Sequence, residues 1–327
     1  MKKVIRWGIL GTGKIAKAFA TALREVPDVE LAAVASRSQD SATEFAAAYG
    51  AARAHGSYQA LADDNGVDVI YIATPHAMHH ENAIMCLKAG KPLLVEKAFT
   101  LNRREAEEIA ALAAERKLFV MEAMWTRFQP AMVEAKRMID LGEIGNVRSL
   151  QADFGFPAEV GPEHRLFNPA LGGGSLLDLG IYPLSMAAFF LGPVQSVKAQ
   201  GELAPTGIDV QASFVLRHDS GALSACSCSL NARTPTTLTV CGDQGFLRLH
   251  GRFHHTERFT IGLNDGSERE YNFPRIGNGY AHEAMEVGRC LRDGMLESSA
   301  MPLGETVALM GVLDDIRRQL GVRYAQD

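Results

Sequence analysis

Short apolar runs alternate with helix-period segments over the first 123 residues. Val4–Leu10 (VIRWGIL) reads as a buried strand, and Lys14–Arg24 as a helix with Ile15, Phe19 and Leu23 on one face. The same alternation predicts strands at Glu30–Ser36, Arg53–His55, Val67–Thr74, Leu93–Val95 and Leu118–Met121. Helices are predicted at Ser41–Tyr49, Tyr58–Asp63, His79–Leu87 and Arg103–Arg116, with Gly90 and Pro92 as stop signals behind the third. Uninterrupted apolar strands that alternate with helices mark a doubly wound parallel sheet.

The pattern changes after Met124-Trp125-Thr126-Arg127. A helix at Pro130–Leu141 ends at Gly142, Val147–Phe156 and a loop follow, and Gly172-Gly173-Gly174-Ser175 opens another helix. Between Val194 and Phe273, strand-like runs at Val210–Arg217, Ala222–Leu230, Thr236–Cys241 and Phe246–Leu249 are separated by turn signals such as Asp219-Ser220-Gly221. That predicts a mostly antiparallel sheet. Helices at Tyr280–Asp293 and Gly304–Leu320 close the chain. The division is therefore residues 1–123, α/β with a parallel sheet, and 124–327, α+β on an open, mostly antiparallel sheet. The second part has more strand than one helix layer covers, so a sheet face is expected to meet a second copy of the chain, giving a homodimer.

Composition narrows the function classes. At 327 residues, two domains are expected, and 47% hydrophobic with 22% charged residues fits a globular protein. The net charge of −5 gives no basic field for nucleic acid or anionic lipid. Lys2 and Lys3 precede an apolar stretch, but Arg6 interrupts it and a glycine turn follows, so it is not read as a secretion signal. Five cysteines then point to a reducing, cytoplasmic setting. Leu179–Gly192 is the most apolar run, is short for a bilayer and contains Pro183, so no membrane partner is expected.

Chemistry enters at the first strand–helix junction. Gly11-Thr12-Gly13, with Ala16, forms G-x-G-x-x-A between strand and helix. The first glycine permits the tight turn, the second lets a pyrophosphate approach the backbone, and Ala16 lets helix and strand pack closely. The free N–H groups of Gly13, Lys14 and Ile15 then face the phosphates. Ser36-Arg37-Ser38 ends the second strand, where the adenosine ribose is met. No acidic residue stands at that tip and Arg37 suits a 2′-phosphate, so NADP is expected, with NAD possible as a lesser cofactor. Thr74, Pro75 and His79 at the end of one strand, and Glu96 and Lys97 at the end of the next, belong in the cofactor cleft, with His76 and His79 at its mouth. Three nearby histidines have no carboxylate or thiolate set to complete a zinc spacing, so no metal is expected.

Three residues form a proton-transfer set. Lys97 ends a strand, and Asp178 and Tyr182 share a face if their helix is continuous across Pro183. Oxidising a carbinol requires loss of its hydroxyl proton, which a phenol can take where an ammonium lowers its pKa. Cys226 and Cys228 read as small core residues, His254-His255 as solvated, and Trp7 as packing.

The motifs GILGTGKIA (8–16), ATPHAMHHENA (73–83), AGKPLLVEKAF (89–99) and GGGSLLDLGIYPL (172–184) together resemble the glucose–fructose oxidoreductase and inositol dehydrogenase family over nearly the whole chain. The family's Glu-Lys-Pro appears as Glu96-Lys97-Ala98, a departure that bears on the loop. Tyr182 stands where many members have His, and MEAMWTRF (121–128) resembles the dimeric dihydrodiol and NADP-dependent xylose dehydrogenase branch. The resemblance implies a Rossmann domain at 1–123, Lys97 and Tyr182 as the catalytic pair, and Asp178 as a substrate-orienting residue. It places Trp125 and Arg127 near nicotinamide or substrate, and Phe154 and Arg165 in the substrate wall. The expected activity is hydride transfer between NADP and a carbinol of a sugar or vicinal diol. A keto-sugar reductase of anhydrofructose type is one rival reading. A dinucleotide-binding regulator without turnover is another, against which the intact Lys97, Asp178 and Tyr182 argue.

Overall fold

The computed structural model of the chain describes residues 4–327, so Lys2 and Lys3 lie outside the described residues. Two compact units are present. The first holds 4–125 and 276–307, the second 126–275 and 308–327. The sequence reading differs from this in keeping 124–327 whole.

The first unit is built on β1 (Ile5–Leu10), α1 (Lys14–Leu23), β2 (Val29–Ala35), α2 (Gln39–Tyr49), β3 (Arg53–His55), α3 (Tyr58–Ala62), β4 (Val69–Ile72), α4 (His79–Lys88), β5 (Leu93–Glu96), α5 (Arg103–Arg116) and β6 (Val120–Ala123). Its six strands are all parallel, in the order β3-β2-β1-β4-β5-β6. The strand order reverses at β1 and β4, so a crevice opens beyond their carboxyl ends. β4, β5 and β6 are buried at every residue, as strands covered on both faces must be. Trp7 is fully buried against Phe19 at 5.1 Å, in the packing role expected of it.

The second unit begins with α6 (Pro130–Asp140), β7 (Val147–Gly155), a π-helical turn at Leu176–Gly180 and α7 (Ile181–Leu191). It continues with β8 (Val194–Leu203), β9 (Asp209–His218), β10 (Leu223–Ser229), β11 (Leu238–Gly242), β12 (Gly245–Leu249), β13 (Arg258–Leu263) and β14 (Glu268–Asn272). These form an eight-stranded sheet in the order β14-β13-β12-β11-β7-β10-β9-β8, antiparallel except between β7 and β10. β9 alternates buried and exposed residues along its length, so one sheet face is packed and the other open. The packed face meets the helical run Pro169–Leu191. At 23 residues this run is longer than the sequence reading allowed and apolar enough to cross a membrane, but its most apolar window is 94% buried inside the protein.

α8 (Ala281–Arg292) returns to the first unit, and α9 (Leu303–Leu320) begins there and ends in the second. α8 buries Ala281, Ala284, Val287 and Cys290, and Asn278 just before it donates to Ala18 O of α1 at 2.8 Å. Helical period announces such a helix without naming the partner of its apolar face.

Candidate functional site

In the first unit the glycine turn has the shape a dinucleotide needs. Gly11 sits at φ +110°, and a Cβ there would stand 3.0 Å from Ala73 O at the end of β4. Gly13 has open space on all sides of where a Cβ would be. It also begins α1 with no side chain capping the first turn, so the N–H groups of that turn are left for an anion. Thr12 and Ile15 are half-buried and Lys14 is exposed. At the tip of β2, Arg37 is exposed between Ser36 and Ser38. Ser38 also caps α2, its Oγ accepting from Ser41 N at 3.4 Å. These features fit a phosphorylated dinucleotide: an open backbone cradle for the pyrophosphate and a cation where the ribose phosphate would lie.

The strand-end residues divide more sharply than expected. Thr74 and Pro75 lie just beyond β4, and Asn82 Nδ2 donates to Thr74 Oγ1 at 3.2 Å. His79 is fully buried, with Nε2 2.8 Å from Thr74 O and Nδ1 3.0 Å from Ala98 O. Burial pushes its pKa down, and the Lys97 charge acts in the same direction, against the carbonyl contacts that raise it. His79 thus pins two loops together. Glu96 also has partners inside the protein. Its Oε1 accepts from the buried Tyr71 hydroxyl and its Oε2 from Lys97 N at 3.2 Å, so the carboxylate braces the loop from inside. Lys97 is half-buried, and the Lys97–Ala98 peptide, where the family has Lys-Pro, is cis. Burial, then the Glu96 charge, lifts the Glu283 carboxyl well above the usual range. Trp125 is buried and stacks on Tyr280 at 4.2 Å.

In the second unit a carboxylate and an aromatic wall come together. Asp178 lies in the π-turn and Tyr182 in the first turn of α7, so the break in helical regularity precedes Pro183. Arg165 Nη1 donates to Asp178 Oδ1 at 2.9 Å, with Asp178 buried and Arg165 half in solvent. Phe154 stands 5.4 Å from the Tyr182 ring. His254, expected to be solvated, is half-buried, stacks on Phe154 at 4.4 Å and lies 5.5 Å from Tyr182. His255 is also half-buried, its pKa lowered by burial and by Arg275. The run Phe253-His254-His255 was the available signal, three rings in a row where a solvated turn needs none. Arg127, expected near nicotinamide or substrate, has side-chain partners on α7. It is fully buried, with Nε donating to Ser185 Oγ and Nη2 to Ser185 O, both at 3.0 Å, and its guanidinium over the Phe189 ring. It is a strut under α7. Cys226 and Cys228 are buried in β10 as expected, and burial pushes the Cys226 thiol up to about 12.

Chemically, the first unit offers a phosphate cradle and a lysine at a strand end. The second offers a phenol, a carboxylate–guanidinium pair and flat apolar rings, a set suited to a small hydroxylated molecule.

Residues 5–124 match the oxidoreductase family with an NAD-binding Rossmann fold, and residues 132–248 match the GFO/IDH/MocA C-terminal domain. The chain is 36% identical over 335 residues to the mouse (Mus musculus) trans-1,2-dihydrobenzene-1,2-diol dehydrogenase, covering 99% of each. A 3-ketoreductase from Actinomadura kijaniata, solved with NADP and TDP-benzene, is 26% identical with a TM-score of 0.82, over 97% of this chain and 98% of that one. A levoglucosan dehydrogenase solved with NADH and L-sorbose shares the fold, with a TM-score of 0.90 at 20% identity over 98% and 97% of the two chains.

Proposed function

Because the chain belongs to the GFO/IDH/MocA oxidoreductase family, we propose that it interconverts a carbinol and a carbonyl of a vicinal diol or sugar with NADP as the preferred cofactor. Membership makes it an NAD(P)-dependent oxidoreductase acting on CH–OH groups. The substrate class, the NADP preference and the residue roles are the inferred part. The second-unit constellation of Tyr182, Phe154, His254 and the Arg165–Asp178 pair supports the substrate class and the residue roles, and the exposed Arg37 at the tip of β2 supports the NADP preference.

When bound, the dinucleotide supplies the hydride in reduction and takes it in oxidation. The chain's own residues manage the proton and the oxygen. Tyr182 Oη gives its proton to the carbonyl oxygen in reduction and recovers it in oxidation. The Lys97 ammonium donates to that oxygen and favours the phenolate. Asp178, held by Arg165, accepts from the neighbouring hydroxyl of the substrate. A free tyrosine, with a pKa of about 10, is almost wholly protonated at pH 7, so the oxidation direction needs this help. Gly13 and the first turn of α1 would hold the pyrophosphate, and Arg37 the 2′-phosphate.

NADPH oxidation against a panel of ketoses, α-hydroxy ketones and diones, with NADP reduction against the matching diols, tests the reading. Tyr182→Phe is expected to lower kcat by roughly 10²–10⁴ with NADP affinity retained, and Lys97→Met by at least as much, the two losses failing to add. A Tyr182→Phe enzyme with the parent kcat and pH profile would refute the role of Tyr182.

The open sheet face presents Val215 and Leu223, exposed at 49% and 43%, on adjacent strands, which favours a homodimer formed through that face. Light scattering should give a dimer that Val215→Asp converts to monomer, and a parent monomer at micromolar concentration would refute it. The five free cysteines suit a cytoplasmic location.

A further inference from the structure

The glycine run ahead of the π-turn is gripped from behind by residues far away in sequence. Asp209, fully buried at the start of β9, accepts through Oδ2 from Ser175 Oγ and from Leu176 N, both at 2.6 Å. Leu176 N is the first backbone donor of the π-turn that carries Asp178. The other oxygen, Oδ1, makes no hydrogen bond among the described residues and lies against Gly174, which stands at φ +125°. A second hold comes from the segment after α9. Tyr324 Oη donates to Gly173 O at 2.5 Å, and Tyr324 is itself buried.

That segment is fastened in turn. Arg317, 3% exposed, donates to both Asp327 oxygens at 2.7 and 3.0 Å and to Asp314 at 2.6 Å. Its guanidinium lies 4.9 Å from the Tyr324 ring centre, and Tyr324 N donates to Asp327 Oδ2 at 2.9 Å. The guanidinium is buried while its two carboxylate partners reach solvent, so Arg317 ties the segment after α9 down from inside the protein. What the segment reaches is Gly173 O, a few residues ahead of Asp178.

We propose that Asp209 and Tyr324 are positioning residues that clamp the Gly173–Ser175 turn and thereby set the placement of Asp178 and Tyr182. Asp209 fixes the entry of the π-turn through its first donor, and Tyr324 fixes the carbonyl one residue ahead of Gly174. Arg317 and Asp327 hold Tyr324 at its post. The π-turn brings these restraints to bear, because it joins the clamped glycines to α7 without an intervening loop. The proposal rests on the reading of Tyr182 as the proton carrier.

The test compares Tyr324→Phe and Asp209→Asn with Tyr182→Phe in the full chain. NADPH-dependent kcat and its pH profile, NADPH affinity from fluorescence titration, the urea midpoint and amide exchange over residues 176–182 are read for each. Tyr324→Phe removes one hydroxyl and is expected to fold. Its kcat should fall about tenfold, as a small displacement of an acid–base group does, with NADPH affinity within about twofold of the parent. Exchange over 176–182 should rise, and the apparent pKa of the rate profile should move. Asp209→Asn keeps an acceptor oxygen and should show a smaller fall. A Tyr324→Phe enzyme with unchanged kcat and unchanged exchange overturns the proposal. So does a loss of kcat matched by equal losses of NADPH affinity and urea midpoint, which marks general destabilisation. If Tyr182→Phe keeps its activity, the reading of the active site fails, and exchange over 176–182 in Tyr324→Phe still decides whether the clamp exists.

Discussion

The chain opens two helical segments with glycine-rich turns, and the two turns use their glycines for opposite purposes. At Gly11-Thr12-Gly13 the second glycine faces open space, and the helix behind it begins uncapped. At Gly172-Gly173-Gly174 the space is filled by protein. A Cβ on Gly173 would stand 2.8 Å from both Arg165 O and Leu166 O, and one on Gly174 would collide with Asp209. The first turn leaves room for a ligand's phosphates, the second lets the chain's own backbone approach closely. A glycine run before a helix therefore signals close approach without saying of what. The discriminator is whether the first helical N–H groups already have a partner, as Leu176 N does in Asp209.

Paired substitutions break this comparison most directly. Gly174→Ala places a side chain at φ +125° and against a buried carboxylate, so it should destabilise the second unit by about 3 kcal/mol or more, read as a lower urea midpoint and poor soluble yield. Gly13→Ala meets nothing in the free protein, where Gly13 has an ordinary φ of −72°. Its melting should stay within about 0.5 kcal/mol of the parent, while NADP affinity should fall at least about tenfold if the pyrophosphate binds there as proposed, because the methyl would take its place. If Gly13→Ala destabilises the free protein and spares NADP binding, the contrast between the turns is wrong.

What could be read in the sequence follows the same division between local and distant partners. The phosphate turn is local. Strand, glycines and helix start lie within about a dozen residues, and each glycine position has its own steric reason. The placement of Lys97 just beyond a strand was legible for that reason too. The partner of Arg127 was not, because Ser185 is 58 residues away and a guanidinium looks the same in sequence whether it faces a ligand or a helix. His79 carried a ligand-like position, but the carbonyls that occupy its ring come from two separate loops. The return of α8 to the first unit and the grip of Asp209 on Ser175 are likewise contacts that no local pattern encodes.

A smaller effect sharpens the ligand side of the comparison. If the first turn leaves room for a dinucleotide, the exposed Arg37 beyond β2 should contribute to affinity and nothing to folding. A charge-assisted contact to a phosphate is worth about 1.5–3 kcal/mol, so Arg37→Ala should weaken NADP binding roughly ten- to a hundredfold, leave NAD binding nearly unchanged and leave the urea midpoint where it was. Equal affinity of the parent protein for NADP and NAD would remove the 2′-phosphate from the account.

The smallest effect concerns the protein-filled turn and appears only as a pH dependence. Burial pushes the Asp209 carboxyl up from 3.8 to about 6, against the hydrogen bonds from Ser175 and Leu176 and the charge of Arg317. The groups around it do not titrate in the same range. Burial, then the Asp209 charge, raises the Cys228 thiol and the Tyr324 phenol, and Arg317 stays charged because Asp327 and Asp314 outweigh the effect of its burial. Between pH 4 and 6 the folded chain therefore holds more of this proton than the unfolded chain does. A group of raised acid pKa contributes stability that is present at low pH and declines as pH rises to about 6, after which its penalty is constant. The slope cannot exceed one proton, about 1.4 kcal/mol per pH unit. Asp209→Asn removes the titration. Relative to the parent, it should be more stable at pH 7.5 than at pH 5, by urea midpoints taken at both. A parent–variant difference that is the same at the two pH values would mean that Asp209 carries its charge in the fold without strain, and that the closed turn tolerates a carboxylate as easily as the open one would a phosphate.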